Sequence, residues 1–159
     1  MSIRSTAKAI IINDNKLLLN KCRDEYNGEY YSLPGGGQNK FETMTEAVIR
    51  ECLEETGYTV KPLRFAALCE EICEDADFRQ HRPEYAHKMY HIFVCEAVGE
   101  KVCIPTETDE LQIGMEWLDI GTLEGIKLLP KLVGENLRRV LDSDTPIFLG
   151  SEHIKHNHG

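Results

Sequence analysis

The sequence predicts an α+β domain in which helices cover a mixed sheet. Three observations carry that expectation. Hydrophobic residues make up 42% of a 159-residue chain, enough for one real core and cramped for two full domains. Apolar runs of strand length stand both before and after one long helical segment. A turn signal between the first two runs marks a hairpin.

Residues 7–12 are apolar apart from Lys8 and read as the first strand. Asn13-Asp14-Asn15 is a turn signal, and residues 16–22 read as the returning strand. Residues 24–30 are polar with one glycine, which predicts a loop. Leu33-Pro34-Gly35-Gly36-Gly37 is neither ordinary helix nor central strand. Thr43, with Glu46 three residues later, has the form of a capping box. Residues 44–56 contain no Gly or Pro, and Gly57 is placed to end the helix. Residues 63–72 and 87–98 predict longer strands, separated by a charged loop over 74–86. A second loop, 101–112, leads to a short strand around Met115-Glu116-Trp117-Leu118. Pro130 is placed to open a last helix, because Leu132, Val133, Leu137, Val140 and Leu141 recur at helical spacing on one face. Residues 151–159 are polar with three histidines and read as a tail in preference to a metal site. No repeat or low-complexity linker divides the chain. The expectation is one domain over residues 3–145 and a C-terminal tail over 146–159.

Charge and cysteine content narrow the class. Eighteen Lys and Arg against 27 Asp and Glu give a net charge of −9, which disfavours a protein built to grip a nucleic acid polymer. A small phosphate ligand stays open, because a cation can bridge acid to acid. No stretch approaches the roughly 18 apolar residues of a membrane span, and the N-terminus lacks the apolar stretch of a secretory signal. A cytoplasmic location with no membrane contact is expected. The six cysteines, Cys22, Cys52, Cys69, Cys73, Cys95 and Cys103, mostly sit in apolar runs and read as reduced and buried. A zinc site from Cys69 and Cys73 with His81 or His87 is the less favoured alternative, since no second Cys pair follows.

On a helical wheel at about 100° per residue, Glu51, Glu54 and Glu55 share one arc and Val48, Ile49, Cys52 and Leu53 fill another. Like charges at these spacings destabilise a helix by a few tenths of a kcal/mol per pair. They also sit toward the helix C-terminus, where the macrodipole disfavours anions. Two readings stay open at this point: a solvated acidic face, or a site for a hard cation such as Mg²⁺ or Mn²⁺, which wants oxygen ligands. The glycine triplet before the helix allows close backbone approach and could turn a carbonyl toward the same cation.

Together, loop and helix resemble the Nudix box. That pattern is Gly, five residues, Glu, seven residues, Arg-Glu, an aliphatic, any residue, Glu-Glu, any residue, Gly, and an aliphatic. The chain supplies Gly36, Glu42 and then Arg50-Glu51-Cys52-Leu53-Glu54-Glu55-Thr56-Gly57-Tyr58. At ordinary residue usage, a chance match at the seven invariant positions in one register is about one in 10⁸. Cys52 and Tyr58 depart from the aliphatic positions, and Phe41 stands where many members have Gly. Cys52 should still pack as a small hydrophobe, and Tyr58 should begin a strand. The surrounding strands, the Leu-Pro-Gly-Gly entry and Trp117 extend the resemblance over most of the chain.

The resemblance implies a Nudix-type α/β/α sandwich with a central mixed sheet. It implies a hydrolase that cleaves a diphosphate linkage in a nucleoside diphosphate derivative, with Mg²⁺ or Mn²⁺ as cofactor. Glu51, Glu54 and Glu55 would bind metal with the Gly35 carbonyl nearby. Glu51 could orient or deprotonate the attacking water, a role that a later-loop Glu takes in some members, with Glu110 ranked ahead of Glu107. Glu42 and Arg50 would form a pair tying loop to helix, with Glu42 in the metal shell as the alternative. Arg4, Lys8, Lys21 and Arg23 flank the first strand pair as phosphate contacts, Arg4 and Arg23 with Gly36 being the chosen substrate-binding set. Tyr26, Tyr30, Tyr31 or Phe78 could stack on a base, and residues 74–86, with Arg79, His81 and Arg82, could form a lid. The substrate candidates are nucleoside triphosphates, ADP-ribose, sugar nucleotides and dinucleoside polyphosphates. A non-catalytic nucleotide sensor of the same fold is the alternative. mRNA decapping and isoprenoid isomerisation find no supporting motif. A homodimer is compatible with the family, although no interface is legible.

Overall fold

Side-chain alternation along the first strand decides how the layers pack. In this computed structural model, which describes residues 2–101, 103–106 and 111–159, strand β1 (Arg4–Asn13) sends Ala7, Ala9 and Ile11 to one face and Ile10 to the other. A two-residue turn follows. Asp14 and Asn15 both take positive φ, 50° and 61°, as a tight hairpin requires. β2 (Lys16–Asp24) returns with Asn13 opposite Lys16.

The expected loop over 24–30 is shorter than predicted, because β3 (Gly28–Ser32) already pairs with β2 through Asp24 opposite Gly28. β4 (Gly35–Gly37) is a three-residue strand against β1. Helix α1 (Met44–Thr56) has the predicted bounds. The Thr43 hydroxyl accepts from the Glu46 N–H at 3.1 Å, and Gly57 closes the helix at φ 80°. β5 (Val60–Cys73) and β6 (His87–Ala97) are the two longer strands. Tyr58 precedes β5 and is not part of it. Its ring meets Trp117 edge-on at 5.6 Å, so it serves the core as an aromatic contact. Between β5 and β6, the predicted loop holds a short helix, α2 (Ala76–His81), capped by Asp75, and a 3₁₀ turn over Pro83–Tyr85. β7 (Gln112–Asp119), β8 (Leu128–Leu129) and α3 (Lys131–Asp142) follow.

Residues 146–159 do not form a free tail: β9 (Ile147–Ile154) runs parallel to β5, from Ala67 opposite Ile147 to Cys73 opposite Ile154. Its apolar residues Ile147, Phe148 and Leu149 are cut short by Gly150 and a polar stretch, which hid it in the sequence.

Among the described residues, the strands form one mixed sheet in the order β8-β3-β2-β1-β6-β5-β9, with β4 joined to β1 and β7 to β2. β1–β6, β3–β8 and β5–β9 are parallel and the other pairs antiparallel. α1 lays Ala47, Val48 and Cys52 on Ala7, Ala9, Ile11 and Leu18. α3 covers the other face, with Val133, Leu137 and Val140 against Ile10, Leu19, Ile92 and Val94. The molecule is thus an α+β sandwich. No described helix is long and apolar enough to cross a membrane.

Candidate active site

The site opens where the sheet divides. β1 has β6 along one edge, but its other edge is shared by β2, at Ile11–Asn13, and β4, at Thr6–Lys8. Over this split lies a cleft of about 450 Å³, within the range of small-molecule sites. Arg4, Thr6 and Lys8 project into it from one face of β1, joined by Lys88 and Tyr90 from β6. Phe78, Arg82 and Tyr85 contribute from the segment between β5 and β6. Glu51, Glu55 and the Gly35–Gly37 strand line it from the side of α1.

The glycines are there because nothing larger fits. Gly35 has φ 135°, and a Cβ on it would lie 2.2 Å from the Ala7 carbonyl oxygen. A Cβ on Gly36 would lie 2.5 Å from a Glu51 carboxylate oxygen. Side-chain-free backbone therefore runs directly between β1 and the carboxylates of α1.

Arg50 organises those carboxylates. Its Nε donates to Glu42 Oε2 at 2.7 Å and its Nη2 to Glu42 Oε1 at 2.9 Å, a two-pronged pair. Nη2 also donates to the Gly37 carbonyl at 2.9 Å, so the pair ties loop to helix as the resemblance implied. Nη1 donates to Glu51 Oε1 at 2.9 Å and to Glu54 Oε2 at 3.2 Å. Arg50, helped by the Asn39 N–H, holds the Glu42 carboxyl down at about 2. Both Glu42 oxygens are engaged in this way.

Glu55 turns inward. It is buried, accepts from the Asn20 amide of β2, and lies 3.4 Å from the Gly35 N–H. The Gly35 carbonyl accepts from Lys8 Nζ at 3.2 Å. Among the described residues, no three His, Cys, Asp or Glu side chains gather closely enough to hold a metal ion, and this applies to the zinc alternative as well. The reason on α1 is visible. Glu51 and Glu54 are drawn to Arg50, and Glu55 to Asn20. The donor set is nevertheless all oxygen, and Glu51, Glu54 and the Gly35 carbonyl each accept from a cationic side chain. Oxygens that collect cations in this way suit a hard divalent ion.

The remaining expected residues divide. Arg4 lies in the cleft, its guanidinium 4.6 Å from the Tyr85 ring centre, and Gly36 lines it. Arg23 does not reach the cleft. It is exposed and pairs with Glu29 directly across the β2–β3 hairpin. Glu107 and Glu110 lie outside the described residues. Phe78 and Arg82 reach the cleft, whereas Arg79 donates to the Cys73 carbonyl and His81 pairs with Asp77. Tyr31 bonds to Glu116, and Tyr26 stacks on His156.

Sequence reasoning missed Lys88, Tyr90, Tyr85 and the Asn157–Gly159 segment. Alternation along residues 87–98 carried the only signal, since Lys88 and Tyr90 share a face with Ile92. Behind them, Glu71 is buried beside Lys88 and His158. Burial alone would raise its carboxyl, but His158 and Lys88 outweigh burial and hold it below its ordinary range. Among the described residues, the cleft thus carries four cationic side chains, Arg4, Lys8, Arg82 and Lys88, against two side-chain carboxylates, in a chain of net charge −9.

A glycine strand laid against an acidic helix beside a basic cleft is an arrangement suited to a small anionic ligand. Residues 3–142 match the NUDIX domain family. The chain belongs to the Nudix hydrolase family. It is 31% identical over 118 residues to a protein of Bacillus subtilis named a putative 8-oxo-dGTP diphosphatase, covering 74% of this chain and 67% of that one. It is 26% identical over 146 residues to putative nudix hydrolase 1 of Caenorhabditis elegans, covering 89% of this chain but only 35% of the worm protein. The chain thus spans about a third of that relative's length. In fold it resembles the MutT protein of Bacillus halodurans, with a TM-score of 0.68 at 21% identity over 96% of this chain and 91% of that one.

Proposed function

We propose that this chain is a metal-dependent pyrophosphohydrolase that cleaves a diphosphate linkage in a small nucleoside diphosphate derivative. The observation that carries the reading is the juxtaposition of the basic cleft and the carboxylate face of α1 across a strand of three glycines. Four cationic side chains suit a polyanion. The carboxylates would repel the same polyanion unless a cation stood between.

Glu51, Glu54, Glu55 and the Gly35 carbonyl are the groups that would hold Mg²⁺ or Mn²⁺, which when bound offsets phosphate charge and lowers the pKa of a bound water. The chain's own residues do the rest. Arg4, Lys8 and Arg82 bind phosphate oxygens and fix the linkage in the cleft. Gly36 lets the substrate approach the backbone closely. Glu51, at the cleft wall, orients the attacking water and takes its proton. Arg50 and Glu42 keep Glu51 and Glu54 in register with the glycine strand, a supporting role of the kind that metal sites depend on.

The test is a hydrolysis screen of nucleoside triphosphates, ADP-ribose, sugar nucleotides and dinucleoside polyphosphates, with Mg²⁺ and again with EDTA. The name of the Bacillus subtilis relative puts oxidised nucleoside triphosphates first in the panel. Metal-dependent cleavage at a diphosphate linkage is expected. Glu54→Gln should cut turnover by orders of magnitude and weaken Mn²⁺ binding in calorimetry while leaving the melting temperature in EDTA unchanged. Near-normal turnover in that variant would refute the metal role. Binding of a panel member without any cleavage would favour a sensor.

A further inference from the structure

After β9 the chain does not leave the molecule. Residues 156–159 lie between β5 and the β2–β3 hairpin, and residues 157–159 form one wall of the cleft. The segment is fastened at every step. Tyr26 stacks on His156 with ring centres 3.9 Å apart. Asn27 donates from its side-chain amide to the Asn157 carbonyl at 3.2 Å. His158 donates from Nε2 to Glu71 at 2.7 Å, and Tyr90 donates to the other oxygen of Glu71 at 3.1 Å. The Gly159 N–H donates to the Tyr30 hydroxyl at 2.7 Å. Glu71 is 2% exposed, His158 5%, Lys88 7% and Tyr30 and Tyr90 3% each, so this polar network is buried.

A buried network of this kind is costly unless each member is satisfied, and apolar anchors could fasten a strap at less cost. What the network provides is a fixed direction for one side chain. Lys88 Nζ donates to Asn157 Oδ1 at 3.0 Å. An ammonium can only donate, so the orientation of the Asn157 amide is set: its oxygen faces Lys88. The group that Asn157 has left to offer is Nδ2, a donor, which meets no protein acceptor among the described residues. Lys88 is in turn paired with Glu71 at 3.7 Å, so part of its charge is compensated within the wall beside Asn157.

We infer that Asn157 is a specificity-determining residue: its Nδ2 donates to an acceptor oxygen on the uncharged part of the substrate, the moiety carried by the diphosphate. His158 and Glu71 are the positioning residues that hold the strap in place for it. This rests on the reading of the cleft as a nucleotide-derivative site.

The test compares Asn157→Ala, Asn157→Asp and His158→Ala in the full chain on the same substrate panel. Asn157→Ala should raise KM for the preferred substrate about tenfold, the worth of one hydrogen bond, with kcat kept within about twofold. Asn157→Asp keeps an oxygen for Lys88 but loses the donor. It should be at least as impaired as the alanine variant and should have a near-native melting temperature. His158→Ala should lower the melting temperature and raise KM for the same substrates. In the double variant with Asn157→Ala the KM effects should be less than additive. Wild-type KM in Asn157→Asp would overturn the proposal, because only the Lys88 contact would then matter. So would an equal loss of kcat on every substrate with KM unchanged. If the native chain binds panel members but cleaves none, the hydrolase reading fails alone, and calorimetry of the Asn157 variants decides this one: equal affinity overturns it. Absence of binding to every member overturns both.

Discussion

Removing the Arg50 guanidinium probes the link between loop, helix and carboxylates most directly. Arg50→Ala deletes five hydrogen bonds: two to Glu42 and one each to Gly37, Glu51 and Glu54. Each charge-assisted bond would contribute about 1.5–3 kcal/mol if fully sequestered. The Arg50 side chain is 28% exposed, so water takes over part of each contact, and exposed ion pairs contribute at most about 1 kcal/mol. Counted near that exposed limit for the three carboxylate partners, a total loss of about 2–3 kcal/mol is expected. For a chain of this length, about 2–4 °C per kcal/mol converts that to a fall of about 4–12 °C in melting temperature. The assay is thermal unfolding in EDTA and again in millimolar Mg²⁺. Nη1 of Arg50 sits against both Glu51 and Glu54, where it competes with any added cation. Mg²⁺ should therefore raise the melting temperature of the variant by more than that of the native chain. A fall of under about 2 °C in EDTA would refute the tie. An equal Mg²⁺ shift in both proteins would refute the competition between Arg50 and metal.

Two other predictions follow from local chemistry. The Glu42 carboxyl is lowered from 4.5 to about 2 by Arg50 and the Asn39 N–H, so its stabilising effect is complete above about 4.5 and is lost as pH falls toward 2. The stability gap between native chain and Glu42→Gln should be constant near neutrality and narrow below pH 4.5; a gap that stays constant down to the lowest pH at which both fold would sink the assignment. Cys22, Cys52, Cys69, Cys73 and Cys95 are buried and Cys103 is exposed, all as free thiols, and burial pushes the Cys69 and Cys95 thiols up to about 12. A thiol reagent should therefore titrate Cys103 quickly and the others only on unfolding, and two or more fast thiols in the native state would contradict the packing.

What could be read in advance depended on how local the physics was. The bounds of α1 were legible because Thr43, Glu46 and Gly57 act within a turn of the backbone they satisfy. The position of Phe41 was also informative. It adopts φ 70°, which explains why glycine suits that position in the family pattern. Arg23 was misplaced because β3 was read as loop, and only the β2–β3 register reveals Glu29 as its partner. Lys88, Tyr85 and Asn157 were not legible as cleft residues, since they meet Arg4 and Lys8 only after three distant segments have come together. β9 escaped because Gly150 and the polar residues after it interrupt its apolar start, and its partner β5 lies far away in the chain.

The placement of β1 has a consequence for how the chain acquires its structure. This strand lies at the centre of the sheet, yet its parallel neighbour is β6, and the Thr6 hydroxyl bonds to a carbonyl 83 residues away. Such pairing must overcome loop-closure entropy before any contact rewards it, which slows folding. During synthesis, the apolar Ala7–Ile12 stretch emerges early and waits for β6, with only the β2 hairpin and the glycine strand to shelter one edge. The half of the chain that holds Glu51, Glu54 and Glu55 therefore cannot form the cleft floor unaided. The site is complete only once β6, β9 and the strap over it are all in place. Ligand binding therefore depends on segments that lie far from α1 and the first hairpin in the chain.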